Sequence, residues 1–255
     1  MRDLRVFLAI FLHQFAFGQD SIIVFDRPGI ADSPYIVESK AWQFETGFEF
    51  SDISGWSNFF LPSIMLRKAL SSKDELRLTY NYSIQTMSLI MRDLSKGYTN
   101  IALGWKHKLW SENSCIPDAS FIINTFFPLD QLKNIGHSKE YNVELGFQFQ
   151  NNINHRFSLN YNLGTLFSNS FDKGALNTSL CVGISGTEKI GFFVEAFCVS
   201  PFQPLGFQPG FDFGVLFYPS KRTQIDVSLI DNTYVGVHYL SALIGYSFQI
   251  SRKQR

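Results

Sequence analysis

A chain of 255 residues with 22 basic and 22 acidic side chains carries no net field to attract nucleic acid or an anionic lipid surface. Its three cysteines, Cys115, Cys181 and Cys198, are too few and too irregularly spaced for a disulfide scaffold or a zinc site. No metal, nucleotide or organic cofactor is therefore expected. Phenylalanine alone contributes 27 residues, interleaved with polar groups rather than gathered into blocks.

The first stretch, "MRDLRVFLAIFLHQFAFG", has Arg2 and Arg5, then an apolar run from Val6 to Phe17, then Ala16-Phe17-Gly18. That is the layout of a secretory signal peptide, residues 1–18, cut after Gly18. The apolar run falls short of the roughly 20 residues that a membrane helix needs. Residues 19–39 are then expected as a periplasmic N-terminal segment, punctuated by Pro28, Gly29 and Pro34.

From residue 40 the pattern changes. Trp42, Phe44, Phe48 and Phe50 alternate with Gln43, Glu45, Gly47 and Glu49. In "ELRLTYNYSIQ", Leu76, Leu78, Tyr80, Tyr82 and Ile84 share one face, with Arg77, Thr79, Asn81, Ser83 and Gln85 on the other. "YNVELGFQFQ" sets Tyr141, Val143, Leu145, Phe147 and Phe149 against Asn142, Glu144, Gly146, Gln148 and Gln150. "FSLNYNLG" repeats the scheme, as do "LNTSLCVGIS" and "FDFGVLF" more weakly. Near the end, Ala242, Ile244, Tyr246, Phe248 and Ile250 again share a face. Period two over about ten residues is the mark of strands with one apolar side. About twelve segments follow it: 40–52, 58–70, 74–86, 97–109, 118–127, 140–151, 154–167, 174–186, 189–200, 208–218, 222–231 and 235–250.

The connections fall into two classes. After even segments they are short and turn-like ("SSKD", "NNIN", "PSKR"), apart from "WSENSCIP". After odd segments they are longer or richer in Pro, Gly and charge: "TMSLIMRDLSKG", "FPLDQLKNIGHSKE", "SNSFDKG" and "SPFQPLGF". Short turns at one end and long loops at the other describe a transmembrane antiparallel up-and-down β-barrel of the outer membrane. The fold expected is all-β: about 12 strands over residues 40–250, then a short tail at 251–255. Apolar faces would meet outer-membrane lipid. The lumen would be lined by Glu45, Glu49, Arg67, Arg77, Lys106, Glu144, Glu195, Asp212 and Asp226. Turning these charges inward avoids a lipid-face charge, which costs up to ~2–4 kcal/mol for Arg or Lys at the midplane. Segments 121–127 and 191–197 are apolar on both faces, so their register stays open.

Eight strands leave an interior filled by side chains and 16 to 18 leave an aqueous channel, so about twelve imply a narrow lumen. The loop Asp26-Arg27-Pro28 then has two readings. It lies as a turn-rich N-terminus across the barrel mouth, the reading preferred, or Asp26 and Arg27 form an ion pair that plugs the periplasmic opening. Catalysis is not expected. A barrel hydrolase needs His and Ser on one strand face, and none of His107, His137, His155 and His238 sits in a His-x-Ser pair. His107 and His238 suit the membrane interface, and His155 a turn.

"FDRPGIADSPYIVESKAWQFETGFEF" resembles the opening of the bacterial outer-membrane family labelled MetA-pathway of phenol degradation. The matching residues are Asp26-Arg27-Pro28, Asp32-Ser33-Pro34, Val37, and then Gln43, Glu45, Gly47 and Phe48. "GFDFGVLFYPSKRTQIDVSL" is similar to that family's late hairpin, and "GYSFQI" resembles the C-terminal strand signal of outer-membrane proteins. Ile250 stands in place of the usual final aromatic, and five residues follow it. The resemblance implies an outer-membrane transporter for small hydrophobic or aromatic compounds and offers no catalytic residues. Two classes stay open: a narrow channel for a small solute, and a non-transporting structural or surface barrel. Either would meet the barrel-assembly machinery through its last strand, and neither calls for nucleic acid.

Overall fold

A computed structural model describes residues 23–53, 56–89, 92–113, 116–129, 141–168, 174–203, 206–234 and 236–251, without the side chains at 52–62, 85–99 and 234. The expected signal peptide, Cys115, His137 and the last four residues lie outside these ranges. Twelve strands follow in chain order. They are β1 (Ala41–Ile53), β2 (Trp56–Ala69), β3 (Asp74–Leu89), β4 (Arg92–Trp110), β5 (Asp118–Pro128) and β6 (Asn142–Asn152), then β7 (Phe157–Phe167), β8 (Gly174–Ser185), β9 (Ile190–Pro201), β10 (Gln208–Ser220), β11 (Thr223–Tyr234) and β12 (Val237–Ser251). Each pairs antiparallel with its sequence neighbours. The first and last strands pair from Ala41 with Ser251 to Asp52 with Leu240, which closes the sheet. Closure leaves no edge with unsatisfied amides, the condition for a sheet in hydrocarbon.

Alternation decides which side chains face out. On β10, Phe211 and Phe213 are 59% and 56% exposed, while Asp212 between them is fully buried. Outside, aromatic rings touch across strands. Phe44 stacks on Phe248 at 5.0 Å over the β1–β12 seam, and Trp105, Phe121, Phe147, Phe149 and Tyr161 form a chain of ring contacts from β4 to β7. Such cross-strand pairs are the unit by which a sheet is stabilised. Near the short-turn end Lys68 lies 4.6 Å over the Trp42 ring, where its stem covers apolar surface and its ammonium reaches the rim.

The two ambiguous segments resolve by register. Lys106 opposite Ile122 and Gly104 opposite Asn124 turn Ile122 and Asn124 inward. Cys181 opposite Glu195 and Asp212 opposite Glu195 do the same for Glu195, with Phe193 and Phe197. The apolar inward residues sit over glycines of the next strand: Phe193 faces Gly214 and Phe197 faces Gly210, and a Cβ at either glycine would collide with the ring. Pro62 and Pro219 fall where the β2–β3 and β10–β11 registers shift, so their missing N–H groups cost no ladder bond.

One expected loop is instead strand. "TMSLIMRDLSKG" continues the β3–β4 hairpin, with Met87 opposite Leu94 and Leu89 opposite Arg92. At 16 and 19 residues these strands are longer than the roughly 9–11 that a bilayer crossing requires. The uncharged run 232–251, long enough for a helix, contains the whole of β12.

Candidate functional site

The lumen is occupied by the chain's own N-terminal segment. It enters at the short-turn end, where the Ile23 N–H donates to the Lys221 carbonyl at 3.3 Å, and leaves at the same end, where Gln249 Nε2 donates to Glu38 at 2.9 Å. Between these points it folds into a loop inside the barrel. The preferred expectation of a segment lying across the mouth is thus corrected. A turn-rich sequence without alternation cannot join the sheet, and its backbone groups are satisfied instead by polar wall side chains.

Those wall groups come from strands all around the barrel. Carboxylates accept from loop amides: Glu45 from Arg27 at 3.0 Å, Glu195 from Ile30 at 2.8 Å and Glu75 from Val37 at 2.8 Å. Side-chain amides donate to loop carbonyls: Gln43 to Val24 at 3.1 Å and Gln224 to Arg27 at 2.9 Å. The Tyr35 hydroxyl accepts from Gln150 and Asn152, both at 3.1 Å. Burial pushes the Tyr35 phenol up to about 12, so it stays protonated.

Asp26 is the centre of the charge network. Its Oδ2 meets Arg67 Nη1 at 3.2 Å, Lys106 Nζ at 3.3 Å and Arg77 Nη2, while its Oδ1 accepts from the Ser33 amide at 3.0 Å and hydroxyl at 2.7 Å. Burial works to raise the Asp26 carboxyl, but the combined field of Arg67, Lys106 and Arg77, with the Ser33 bond, holds it well below the carboxylate range. Arg67 is also held by Glu45 at 2.9 Å and Glu75 at 2.8 Å, and Arg77 by Glu75 and Asp32, both at 2.9 Å.

Asp26 and Arg27 do not form the ion pair considered for the opening. Successive residues of an extended chain point opposite ways, and Arg27 reaches instead to Asp226 on β11 at 3.4 Å. Pro28 is buried beside it, after a cis peptide bond.

All nine residues expected to line the lumen face inward, and they fall into sectors. Arg67, Arg77 and Lys106 occupy β2, β3 and β4 and converge on Asp26. Glu195, Asp212 and Asp226 lie on β9, β10 and β11, with Glu45 and Glu49 on β1 completing an acidic arc. Glu144 on β6 stands apart and accepts from Asn124 at 2.8 Å. Sequence reasoning missed Glu75, which shares a face with Arg77 two residues on and was legible by parity. It also missed the loop's own Asp32 and Ser33, which no periodic signal marks. His107, near the end of β4, stacks on Trp105 at 5.4 Å and bonds Asp74 at 2.8 Å; His155 lies in the β6–β7 turn.

A cavity and an apolar cluster flank the loop. Toward the short turns lies a cavity of about 560 Å³, lined by Phe25, Phe193 and Tyr218 together with Gln150, Asn160 and Gln224. Farther from those turns, Phe197, Ile230 and Leu243 pack into a buried apolar cluster on the wall.

This architecture defines the class: a closed 12-strand antiparallel barrel of the outer-membrane type. It is similar to a KdgM porin in complex with disordered oligogalacturonate, at 7% identity and TM-score 0.58, over 81% of this chain and 98% of that one. LpxR from Salmonella typhimurium matches at 10% identity and TM-score 0.56, over 80% and 99% of the two chains. The NanC porin matches at 7% identity and TM-score 0.54, over 81% and 100%. No family model matches the sequence, and no curated protein matches it significantly.

Proposed function

We propose that this protein is a narrow outer-membrane channel for small solutes, closed in this conformation by its own N-terminal loop. The observation that carries the reading is the lumen's construction. The wall is mostly polar where the loop docks, and hydrogen bonds and ion pairs hold the loop's centre. Only its exit, at Ile36 and Val37, packs on the apolar Ala41 and Ala69. The polar contacts can exchange for solute or water. The aromatic and amide lining of the 560 Å³ cavity suits a small ring-shaped solute with a polar substituent. That agrees with the resemblance to the MetA-pathway of phenol degradation family. The apolar, aromatic exterior suits outer-membrane lipid, and β12 is the strand the assembly machinery would read.

The filled lumen also favours a second reading, a structural or surface barrel whose loop never leaves. Uptake of labelled phenol and of a small neutral sugar into proteoliposomes separates the two. Flux above protein-free vesicles, retained when the protein is refolded from denaturant, supports the channel. Absence of flux for every small solute, with the barrel folded by heat-modifiable gel mobility, supports the structural barrel.

A further inference from the structure

Three cations from three adjacent strands meet on one carboxylate oxygen that the wall does not supply. Arg67, Arg77 and Lys106 are each at most 5% exposed, and all three touch Oδ2 of Asp26. The two arginines have wall partners as well, Glu45 and Glu75. Lys106 stands opposite Glu75 across the β3–β4 pair, but no hydrogen bond joins the two among the described residues. Its acceptors are Asp26 and the Ser33 carbonyl, both in the N-terminal loop. With the loop withdrawn, three wall cations would face two wall carboxylates, a local excess of one positive charge on a lumen wall then open to water. An unbalanced charge lining a narrow cleft concentrates anions there. A loop that exists only to fill the barrel does not need this arrangement. A third wall acid, or an apolar residue at 106, would avoid it.

We propose that the Arg67–Arg77–Lys106 cluster is a receptor for the carboxylate of a small organic acid, with Asp26 as its resident occupant. An incoming acid takes the Oδ2 position, Asp26 leaves, and the loop loses its central anchor. This rests on the reading of the barrel as a channel closed by that loop. The geometry fits a carboxylate better than a neutral solute. Guanidinium groups present forked donors matched to planar anions, and Lys106 adds a point charge on the same side. Asp26 Oδ1 is bound by Ser33 of its own loop, so the cations grip only the oxygen that any carboxylate could offer. Arg77 also holds a second loop carboxylate, Asp32 at 2.9 Å, so a dicarboxylate can replace both.

Exchange is competitive. A tethered acid acts at an effective concentration on the order of 1 mM or more, so a free acid must approach that range to displace it. Removing the tethered charge should lift this requirement.

The test uses the full mature chain, folded in detergent, with succinate as probe and butane-1,4-diol as its uncharged analogue. Asp26→Asn should bind succinate at least about tenfold more tightly than the unaltered protein, a change near 1.4 kcal/mol. Adding Lys106→Met should abolish the gain, and the diol should not bind. In the unaltered loop, succinate should speed maleimide labelling of Ala31→Cys, a buried loop position, in a background with Cys115, Cys181 and Cys198 replaced by alanine. Equal succinate affinity with and without Asp26, survival of binding after Lys106→Met, or equal binding of the diol would overturn the proposal. If Asp26→Asn does not fold, the labelling experiment decides: no acceleration at about 0.1 M succinate, far above the tether's effective concentration, overturns it. Succinate binding without solute flux removes the channel reading and leaves the receptor. Flux without succinate binding removes only the receptor.

Discussion

Gly47 and Gly245 face each other across β1 and β12, and the space left by their missing side chains holds the Arg27 guanidinium. A Cβ at Gly245 would stand 2.5 Å from Arg27 Nε and 2.6 Å from Asp226 Oδ1, and one at Gly47 would overlap the guanidinium itself. The wall is therefore hollowed at the point where the loop's cation meets its acid. Gly47→Val should push Arg27 from Asp226 while leaving the β1–β12 ladder intact, since valine suits a strand. The expected result is several-fold faster maleimide labelling of Ala31→Cys with unchanged heat-modifiability. Unchanged labelling would show that Arg27 does not anchor the loop.

Phe48 points outward and is 49% exposed, while Glu49 points inward toward the acidic arc that includes Asp212. Phe48→Arg places a cation in lipid, at ~2–4 kcal/mol near the midplane, and should sharply lower the folded fraction. Glu49→Arg exchanges a like charge for an opposite one beside that arc and should be tolerated. Folding yield into lipid vesicles measures both, and equal yields would contradict the register of β1.

Loop docking should respond to acid in a defined window. The carboxyl of Asp26 lies among Arg67 of β2, Arg77 of β3, Lys106 of β4 and Glu45 of β1, and its affinity for protons is depressed when docked. A group whose pKa is lowered in the bound state stabilises that state fully above its free pKa, and the contribution fades as pH falls toward the lowered value. For a free aspartate that upper limit is about 3.9. Bilayer conductance should therefore stay constant from pH 7 to about pH 5 and rise only below about pH 4. Opening centred near pH 6 would mean that another group controls the loop.

If both chain ends of the barrel lie in the periplasm, the short β8–β9 turn does too, and the β9–β10 connection is outside. A cysteine at Gln203 should react with an impermeant maleimide on intact cells. One at Glu188 should react only after the outer membrane is opened. The opposite pattern would invert the topology.

Most of the wall was legible because alternation is a local signal. Once Trp42 and Phe44 are outward, Gln43 and Glu45 must be inward, and the same parity places Arg77, Lys106 and Asp226. The β3–β4 hairpin was misread as a loop because, beyond the length a bilayer crossing requires, neither face must be apolar, and the pattern that reveals a strand disappears. What was not legible is the joining of distant residues. Asp26 and Lys106 are 80 positions apart, and Gly47 meets Gly245 only through barrel closure. No local composition announces either contact. The loop itself is aperiodic, so its turn residues read equally well as a strand lead-in outside the barrel. Phe197 was ambiguous for a different reason: its strand is apolar on both faces, and only pairing with Gly210 shows which side has room for the ring.

If the N-terminal loop closes a conducting lumen, releasing it must open the barrel. Single-channel recording of the full mature barrel beside its Asp26→Ala/Arg27→Ala/Asp32→Ala variant tests this most directly, because the triple change removes the loop's ion pairs with Arg67, Arg77, Lys106 and Asp226 and leaves every strand intact. The unaltered barrel should remain largely silent, and the variant should show discrete, well-resolved current steps. Equal currents from the two proteins, or silence from a variant shown to be folded, would contradict it.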